Sequence, residues 1–455
     1  MHADLLVIGF GKGGKTLAGA LGRQGKRVVM VEQSGQMYGG TCINIGCVPT
    51  KALIHRASTR PDDADPRRWY ADSVTFTTSL TALLREKNFR MLDSLESVTV
   101  VTGTAAFLDE KRVEVTAGDD RLEITADIIV INTGAVPVIP DIPGLRESPH
   151  LLTNTDLIAS PALPGRVAVL GGGYQGIEFA ALLASYRAET TVLESAGRIL
   201  RREDEDVAAA AEQILRDEGV TFVTGARVSR VGGSAEAAIV HYEVDGGQHT
   251  LEVDAVVAAA GRAPNTANLR LDAAGVRLTA SGAVEVDDHL RTSRPHIFAI
   301  GDVNGGPQFT YISLDDYRIV LDQITGQGRR ATTDRVAVPS TLFMTPPLAR
   351  VGLTEAEARA AGRGVRVAAK PIAAIAAMPR ARIVGDTRGL MKFVIDAETD
   401  EILGAALLSV DSQELINTVA LAMRGGTTAS GLRDAIWTHP SSTEAFNEVL
   451  ATIVG

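Results

Sequence analysis

Cysteine is the scarcest informative residue in this chain, with only 2 among 455 positions. Two thiols cannot build the disulfide framework of a secreted protein, so the pair reads as catalytic or metal-binding in a cytoplasmic chain. A basic excess is also missing: 45 Lys and Arg against 55 Asp and Glu leave a formal charge of −10. That sign argues against nucleic acid or an anionic membrane surface as the main partner. No apolar run approaches the ~20 residues that span a bilayer; a run such as Ile402–Val410 is far shorter and contains a glycine. Leu5–Phe10 is too short for a signal-peptide core and no cleavage pattern follows, so no export signal is expected. Aromatic residues make up only 4%.

What is abundant is glycine, at 45 residues, in a chain that is 45% hydrophobic and 22% charged. The length suggests roughly three globular domains at ~150 residues each. One internal repeat organises them. The apolar run Leu5–Ile8 leads into Gly9-Phe10-Gly11-Lys12-Gly13-Gly14, an amphipathic stretch to about Gly25, and a second apolar run, Val28–Val31, ending in Glu32. The same layout returns at Val167–Leu170, Gly171-Gly172-Gly173-Tyr174-Gln175-Gly176, a helical stretch to Arg187, and Thr191–Leu193 ending in Glu194. Each copy is a dinucleotide-binding unit by pattern, with Gly9, Gly11, Gly14 and Gly171, Gly173, Gly176 in the three glycine places. The first glycine makes a tight turn, the second admits a pyrophosphate and the third lets helix and strand pack closely. The phosphates then meet a helix N-terminus, whose free N–H groups favour negative charge. Glu32 and Glu194 stand where a carboxylate accepts ribose hydroxyls.

Between and beyond these units the pattern is coarser. Arg60–Ser73 is rich in Pro, Asp and Arg and reads as a surface loop. Helical spacing marks Ser79–Leu95 and Asp204–Glu218, while Val98–Phe107, Arg112–Val115 and Arg121–Ile131 alternate like strands. From about Asp334 come strand-like segments at Lys392–Asp396 and Ile402–Val410, then helical stretches at Gln413–Arg424 and Ser442–Ile453, a separate α+β domain.

Both cysteines lie in Gly39-Gly40-Thr41-Cys42-Ile43-Asn44-Ile45-Gly46-Cys47-Val48-Pro49-Thr50-Lys51, directly after the first unit. In an unbroken helix a spacing of five separates Cys42 and Cys47 by a rise of ~7.5 Å and places them on different faces. A disulfide prefers Cα atoms ~4.4–6.8 Å apart, so a bonded pair requires a distorted turn, for which Gly46 offers freedom. Lys51, four residues after Cys47, can share its face and depress a thiol pKa. Two buried thiols acting as small hydrophobes remain an alternative. A zinc site is under-coordinated without nearby His or further Cys ligands.

Gly39–Lys51 resembles the redox-active signature of the class I pyridine nucleotide–disulfide oxidoreductases, the family of dihydrolipoamide dehydrogenase, glutathione reductase and mercuric reductase. Further segments extend the resemblance along the chain: Ile300-Gly301-Asp302, Asn132-Thr133-Gly134, Gly261-Arg262-Ala263-Pro264-Asn265, and His439-Pro440-Ser441-Ser442-Thr443-Glu444. The resemblance implies an α/β fold with two Rossmann-like domains and a C-terminal α+β dimerisation domain. Residues 1–150 and 266–333 would form the FAD-binding domain, 151–265 the NAD(P)-binding domain and 334–455 the interface domain of a homodimer. FAD would rest on Gly9, Gly11, Gly14, Glu32, Thr41, Lys51, Thr133, Gly134, Gly301 and Asp302. NAD(P)H would rest on Gly171, Gly173, Gly176, Glu194 and Gly261, with Tyr174 covering the nicotinamide pocket. Cys47 would face the flavin as its thiolate and Cys42 would meet substrate. Lys51 and Glu178 would pair near the flavin. His439, oriented by Glu444, would exchange a proton with Cys42 across the dimer interface, as a histidine does near neutral pH. No resident metal is implied.

Absences narrow the family. No cysteine pair stands near the C-terminus, where mercuric reductases and large thioredoxin reductases carry one. Trp437 occupies the place where dihydrolipoamide dehydrogenases usually have a second histidine. Gly9-Phe10-Gly11-Lys12, Glu32-Gln33-Ser34, Met37-Tyr38-Gly39-Gly40, Gln308–Arg318, Phe343-Met344-Thr345-Pro346-Pro347 and Pro379-Arg380-Ala381-Arg382 resemble the bacterial reactive-chlorine-resistance flavoproteins, hypothiocyanous acid reductases. That subgroup implies electron flow from NAD(P)H through FAD to Cys42 and Cys47, and then to a small oxidant. Reduction of Cu(II) or Hg(II), or of a dihydrolipoamide-type disulfide, is the alternative. Glu194 favours NADH, while Arg198, Arg201 and Arg202 leave NADPH open.

Overall fold

The computed structural model describes residues 1–452. Its first α/β unit opens with strand β1 (His2–Ile8), helix α1 (Lys12–Arg23) and strand β2 (Val28–Glu32). All five β2 residues are buried and β1 is apolar along most of its length, the signature of parallel strands covered on both faces. β1 lies between β2 and the strand Asp120–Ile131, parallel to both, with Leu5 opposite Val28 and Ile128. Val98–Thr102 adds beyond β2, Ile297–Ala299 returns from far along the chain beside Asp120–Ile131, and an antiparallel pair, Thr104–Phe107 and Arg112–Ala117, completes the sheet. The strands expected at 98–107, 112–115 and 121–131 are present.

The second unit repeats the design. Arg166–Leu170, helix Tyr174–Ser185 and Glu189–Glu194 form its glycine-turn crossover, flanked in parallel by Thr221–Thr224 and Ala255–Ala258. The helix expected at 204–218 spans Glu205–Asp217. Both repeats need glycine at the turn for the same reason. Gly9 has φ +99° and Gly171 φ +114°, and a Cβ at either would collide with main chain of the neighbouring strand's end, at Asn132 and Ala259 respectively.

The C-terminal part is a five-stranded antiparallel sheet in the order Ser340–Leu342, Leu348–Gly352, Ile402–Leu408, Leu390–Asp396, Val365–Pro371. Helices Ser412–Arg424 and Ala445–Ala451 bury Ile416, Val419, Phe446 and Val449 against Met391, Phe393 and Ile395. The helix expected over Ser442–Ile453 is therefore shorter at its start, and Ile453 lies outside the described residues.

One expectation fails. Arg60–Ser73 is a loop only to Asp65; a 28-residue helix, α4 (Pro66–Asp93), begins immediately after it. Asp65 caps that helix by accepting from Arg68 N at 2.8 Å, and Pro66 occupies the first helical position, where its missing N–H costs nothing. Composition alone hid this start signal. Tyr70 is fully buried, its ring edge-on to Tyr186 at 4.9 Å and its hydroxyl donating to Leu157 O at 2.9 Å. Trp69 stacks on the Arg56 guanidinium at 4.1 Å. Tyr70 thereby ties the second unit to the first.

Candidate active site

The sequence breaks its own helix between the two cysteines. Thr41–Asn44 forms a single turn, α2, and Cys47–Ser58 forms helix α3. Ile45 and Gly46 lie between, and a Cβ on Gly46 would come within 3.0 Å of Thr41 O. The break brings the thiols together, whereas an unbroken helix would hold them apart. Cys42 is half-buried, Cys47 opens into the main cavity, and both are free thiols.

The neighbouring Cys47 thiol lowers the Cys42 pKa to about 6; Thr310, Lys15 and Lys51 act in the same direction. The same contact and burial push Cys47 up. The two shifts run in opposite directions, which favours ionisation of Cys42 over Cys47. The resemblance assigns the thiolate to Cys47 instead. The Thr310 hydroxyl, at the start of helix Thr310–Thr325, lies 3.9 Å from Cys47 Sγ.

The cavity has a volume of ≈ 440 Å³ and gathers much of the expected set: Gly9, Gly11, Glu32, Thr41, Cys42, Cys47, Lys51, Thr133, Gly134, Glu178, Gly301 and Asp302 line it. Gly14 sits behind the wall, its N–H donating to Asn132 Oδ1 at 2.9 Å. Lys51 reaches across to helix Tyr174–Ser185 and meets both Glu178 oxygens, at 2.8 and 3.0 Å. Phe343 N donates to the same carboxylate at 2.8 Å, and the Phe343 ring lies 4.7 Å from the ammonium.

Gly171, Gly173, Tyr174, Gly176, Glu194 and Gly261 are not in the cavity wall. Glu194 accepts from Gly172 N at 2.6 Å and Ala196 N at 2.7 Å, which orients its carboxylate at the strand end. Gly261 (φ +111°) accepts from Val138 N at 3.0 Å in the crossover between the units. His439 lies elsewhere, on the exposed C-terminal domain, with Nδ1 2.9 Å from Glu444 Oε1; Ser441 N donates to the other oxygen at 2.8 Å. Glu444 is held below the usual carboxylate range by these two contacts.

Several site residues escaped the sequence reading. Asn132 accepts from Gly14 N and donates to Ile300 O at 2.7 Å, clamping the glycine turn to the start of the Gly301–Asp302 segment. Lys15 is buried in α1 and bonded to Asn88, with its pKa lowered to about 8 by burial. Its place one residue beyond the third glycine was a visible signal, because a lysine on the buried face of a helix is rare. Arg262 lines the cavity with its Nε buried and without a partner.

These features fit FAD. The N-terminus of α1 has no side-chain cap at Gly11, Glu32 stands at the end of β2, and Asp302 and Arg262 line the same space, with Arg262 Nε buried and unpartnered. Burial raises the Asp302 pKa, as expected of a carboxylate that lacks a strong donor until a hydroxyl-bearing ligand arrives.

Two α/β units with glycine turns, a paired-thiol break and a C-terminal antiparallel sheet define a dinucleotide-dependent thiol–disulfide oxidoreductase fold. The chain belongs to the pyridine nucleotide-disulphide oxidoreductase family: the family model matches residues 3–316 and the family's dimerisation domain matches residues 338–450. Enzymes of this family use FAD and NAD(P)H. The chain is 45% identical over 448 residues to the probable pyridine nucleotide-disulfide oxidoreductase RclA of Escherichia coli, covering 98% of each chain. It is 32% identical to a Staphylococcus aureus mercuric reductase, over 95% of this chain and 79% of that one, and 32% identical to the Geobacillus stearothermophilus dihydrolipoyl dehydrogenase, over 100% and 97%. The solved structure of the Cu(II) complex of the HOCl-induced flavoprotein disulfide reductase RclA from E. coli superimposes with a TM-score of 0.94, at 44% identity and full coverage of both chains. No helix among the described residues is long and apolar enough to cross a membrane.

Proposed function

We propose that this protein is a cytoplasmic, homodimeric hypothiocyanous acid reductase, drawing electrons from NADH. The observation that carries the proposal is the thiol pair itself: two cysteines on either side of the break between Asn44 and Cys47, both lining the nucleotide cavity, with the Cys42 pKa lowered. Bound FAD supplies the two-electron relay between nicotinamide and the Cys42–Cys47 disulfide. The reduced pair does the rest. The Cys42 thiolate attacks the electrophilic sulfur of HOSCN, forming a Cys42 sulfenyl thiocyanate and expelling hydroxide. The proton held by Cys47 neutralises that hydroxide to water, through His439 of the dimer-related site. The Cys47 thiolate then attacks Cys42 sulfur, closing the disulfide and releasing thiocyanate. One thiolate, one thiol and HOSCN thus yield disulfide, thiocyanate and water, with charge conserved. A resolving thiol at contact distance also protects Cys42 from over-oxidation.

Arg198 supports the choice of NADH. Its guanidinium donates to the carbonyls of Leu200 at 3.0 Å, Arg201 at 3.1 Å and Glu203 at 3.0 Å, so its donors are spent on its own loop. Glu194 repels a 2′-phosphate at that place. The expected kcat/KM is at least about tenfold higher for NADH than for NADPH.

A panel of HOSCN, lipoamide, oxidised glutathione, Cu(II) and Hg(II), followed by NADH oxidation, tests the function. HOSCN should be turned over fastest, and Cys42→Ser should abolish that turnover; full activity in Cys42→Ser contradicts the scheme. The Cu(II) complex of the E. coli relative favours Cu(II) reduction as a second reading.

A further inference from the structure

Lys15 stands one turn beyond Gly11 on α1, its N–H donating to Gly11 O at 3.0 Å, and it is buried. Its ammonium donates to Asn88 Oδ1 on α4. The Asn88 amide nitrogen donates in turn to Leu84 O at 2.7 Å, which fixes the amide oxygen toward Lys15. No carboxylate pairs with this ammonium among the described residues. A buried cation held only by a neutral amide lacks the counter-charge that such a group ordinarily requires.

The redox turn packs against this group. A Cβ on Gly40 would fall 2.8 Å from Gly11 Cα, so the chain entering α2 meets the start of α1 backbone to backbone. A Cβ on Gly39 would fall 3.4 Å from Asn88 Cγ, so the amide that holds Lys15 also borders that turn. Cys42 follows two residues after Gly40. Arg85, three residues before Asn88 on α4, donates to Asn44 Oδ1 at 2.9 Å, and Asn44 Nδ2 donates to Gly40 O at 2.9 Å. One helix face thus carries both the anchor of α2 and the partner of Lys15.

Around α2 stand Lys12 and Lys15 from α1, Cys47 and Lys51 from α3, and Arg85 from α4. Among the described residues only Lys51 of these cations is paired with a carboxylate, that of Glu178. Burial lowers the Lys15 pKa to about 8, Lys12 adds to that, and Cys42 opposes it. At Cys42 the Cys47 thiol is the largest lowering influence, Thr310 follows, and Lys15 comes before Lys51.

We propose that Lys15 and Asn88 are positioning residues for the oxidant-reducing step: the buried Lys15 ammonium, oriented by Asn88, is the counter-charge of the Cys42 thiolate. The proposal rests on the reading of Cys42 as the attacking thiolate. The charge of Lys51 is compensated locally by Glu178, whereas that of Lys15 is left to act on the thiol.

The test reads the pH midpoint of iodoacetamide labelling at Cys42, resolved from Cys47 by peptide mass spectrometry, in the flavin-loaded protein reduced with NADH. Lys15→Met keeps the aliphatic stem and deletes the charge. It should raise the midpoint by at least about half a pH unit, an about threefold slower labelling at pH values below both midpoints. Asn88→Asp keeps the shape and gives the ammonium a carboxylate partner. It should raise the midpoint as well, and it serves alone if Lys15→Met does not fold. A purely structural role predicts otherwise, since Asn88→Asp strengthens the contact and leaves Cys42 as it was. A smaller shift in Lys15→Met, or an unmoved or lower midpoint in Asn88→Asp, overturns the proposal. Loss of FAD from Lys15→Met with the midpoint unmoved assigns the lysine to the cofactor's phosphates and overturns it too. A midpoint of about 8.5 in the unsubstituted protein fails the reading of Cys42 itself.

Discussion

Lys51 Nζ lies 2.8 Å from Glu178 Oε2, joining the redox helix to the first helix of the second nucleotide unit across the cavity. The two side chains are 29% and 15% exposed, so the pair is shielded without being dry. The Lys51 ammonium adds a small favourable influence on ionised Cys42, behind those of Cys47, Thr310 and Lys15.

Removing one partner leaves the other charge partly buried. Lys51→Met should lower unfolding stability by about 2 kcal/mol, less than for a fully buried pair because water reaches Lys51. It should also slow flavin reduction. Thermal unfolding and stopped-flow absorbance check the two effects separately.

The acidity of Cys42 has a direct pH consequence. A thiol whose pKa lies at about 6 is thiolate above that pH and loses reactivity as pH falls through it. Iodoacetamide labelling of the NADH-reduced protein should therefore reach half its maximal rate near pH 6. In Cys47→Ala the neighbouring thiol is removed, and the labelling midpoint should move upward; a midpoint near 8.5 in the unsubstituted protein contradicts the lowered Cys42 pKa.

His439 is 72% exposed and outside the cavity of its own chain. If it serves the thiols of a partner, an inactive Cys42→Ser chain and an inactive His439→Ala chain should complement each other. After subunit exchange, about a quarter of the sites pair an intact Cys42 with an intact His439. Recovery of oxidant turnover measures this; no recovery despite verified exchange contradicts the shared site.

The start of α4 can be tested by stability. Tyr70→Ala removes a fully buried ring and should cost about 3–5 kcal/mol, whereas Asp63→Ala, on the exposed turn before the helix, should cost less than about 0.5 kcal/mol. Chemical denaturation resolves the difference.

Much of the architecture was readable because it depends on local backbone requirements. Gly9 and Gly171 occupy turns with positive φ, and their strands carry unbroken apolar runs, so two similar units could be recognised without any contact map. The start of α4 was missed because Asp65-Pro66 is a two-residue signal inside a charged stretch, and the burial of Tyr70 depends on Leu157 and Tyr186, both distant in sequence. The clamp role of Asn132 is not legible in its own segment, since Gly14 and Ile300 meet it only in three dimensions.

Residue order by itself determined that this chain has two glycine-turn units, a pair of cysteines five apart beside the first, and a separate C-terminal α+β part, because turn geometry and side-chain periodicity are written within a few residues. Tertiary structure alone decided that the Cys42 pKa is lowered, that Lys51 finds Glu178, and that Tyr174 is held by Glu203 beside Arg350. Those relationships set charge and access, which depend on distance and burial between segments that the chain brings together only by folding.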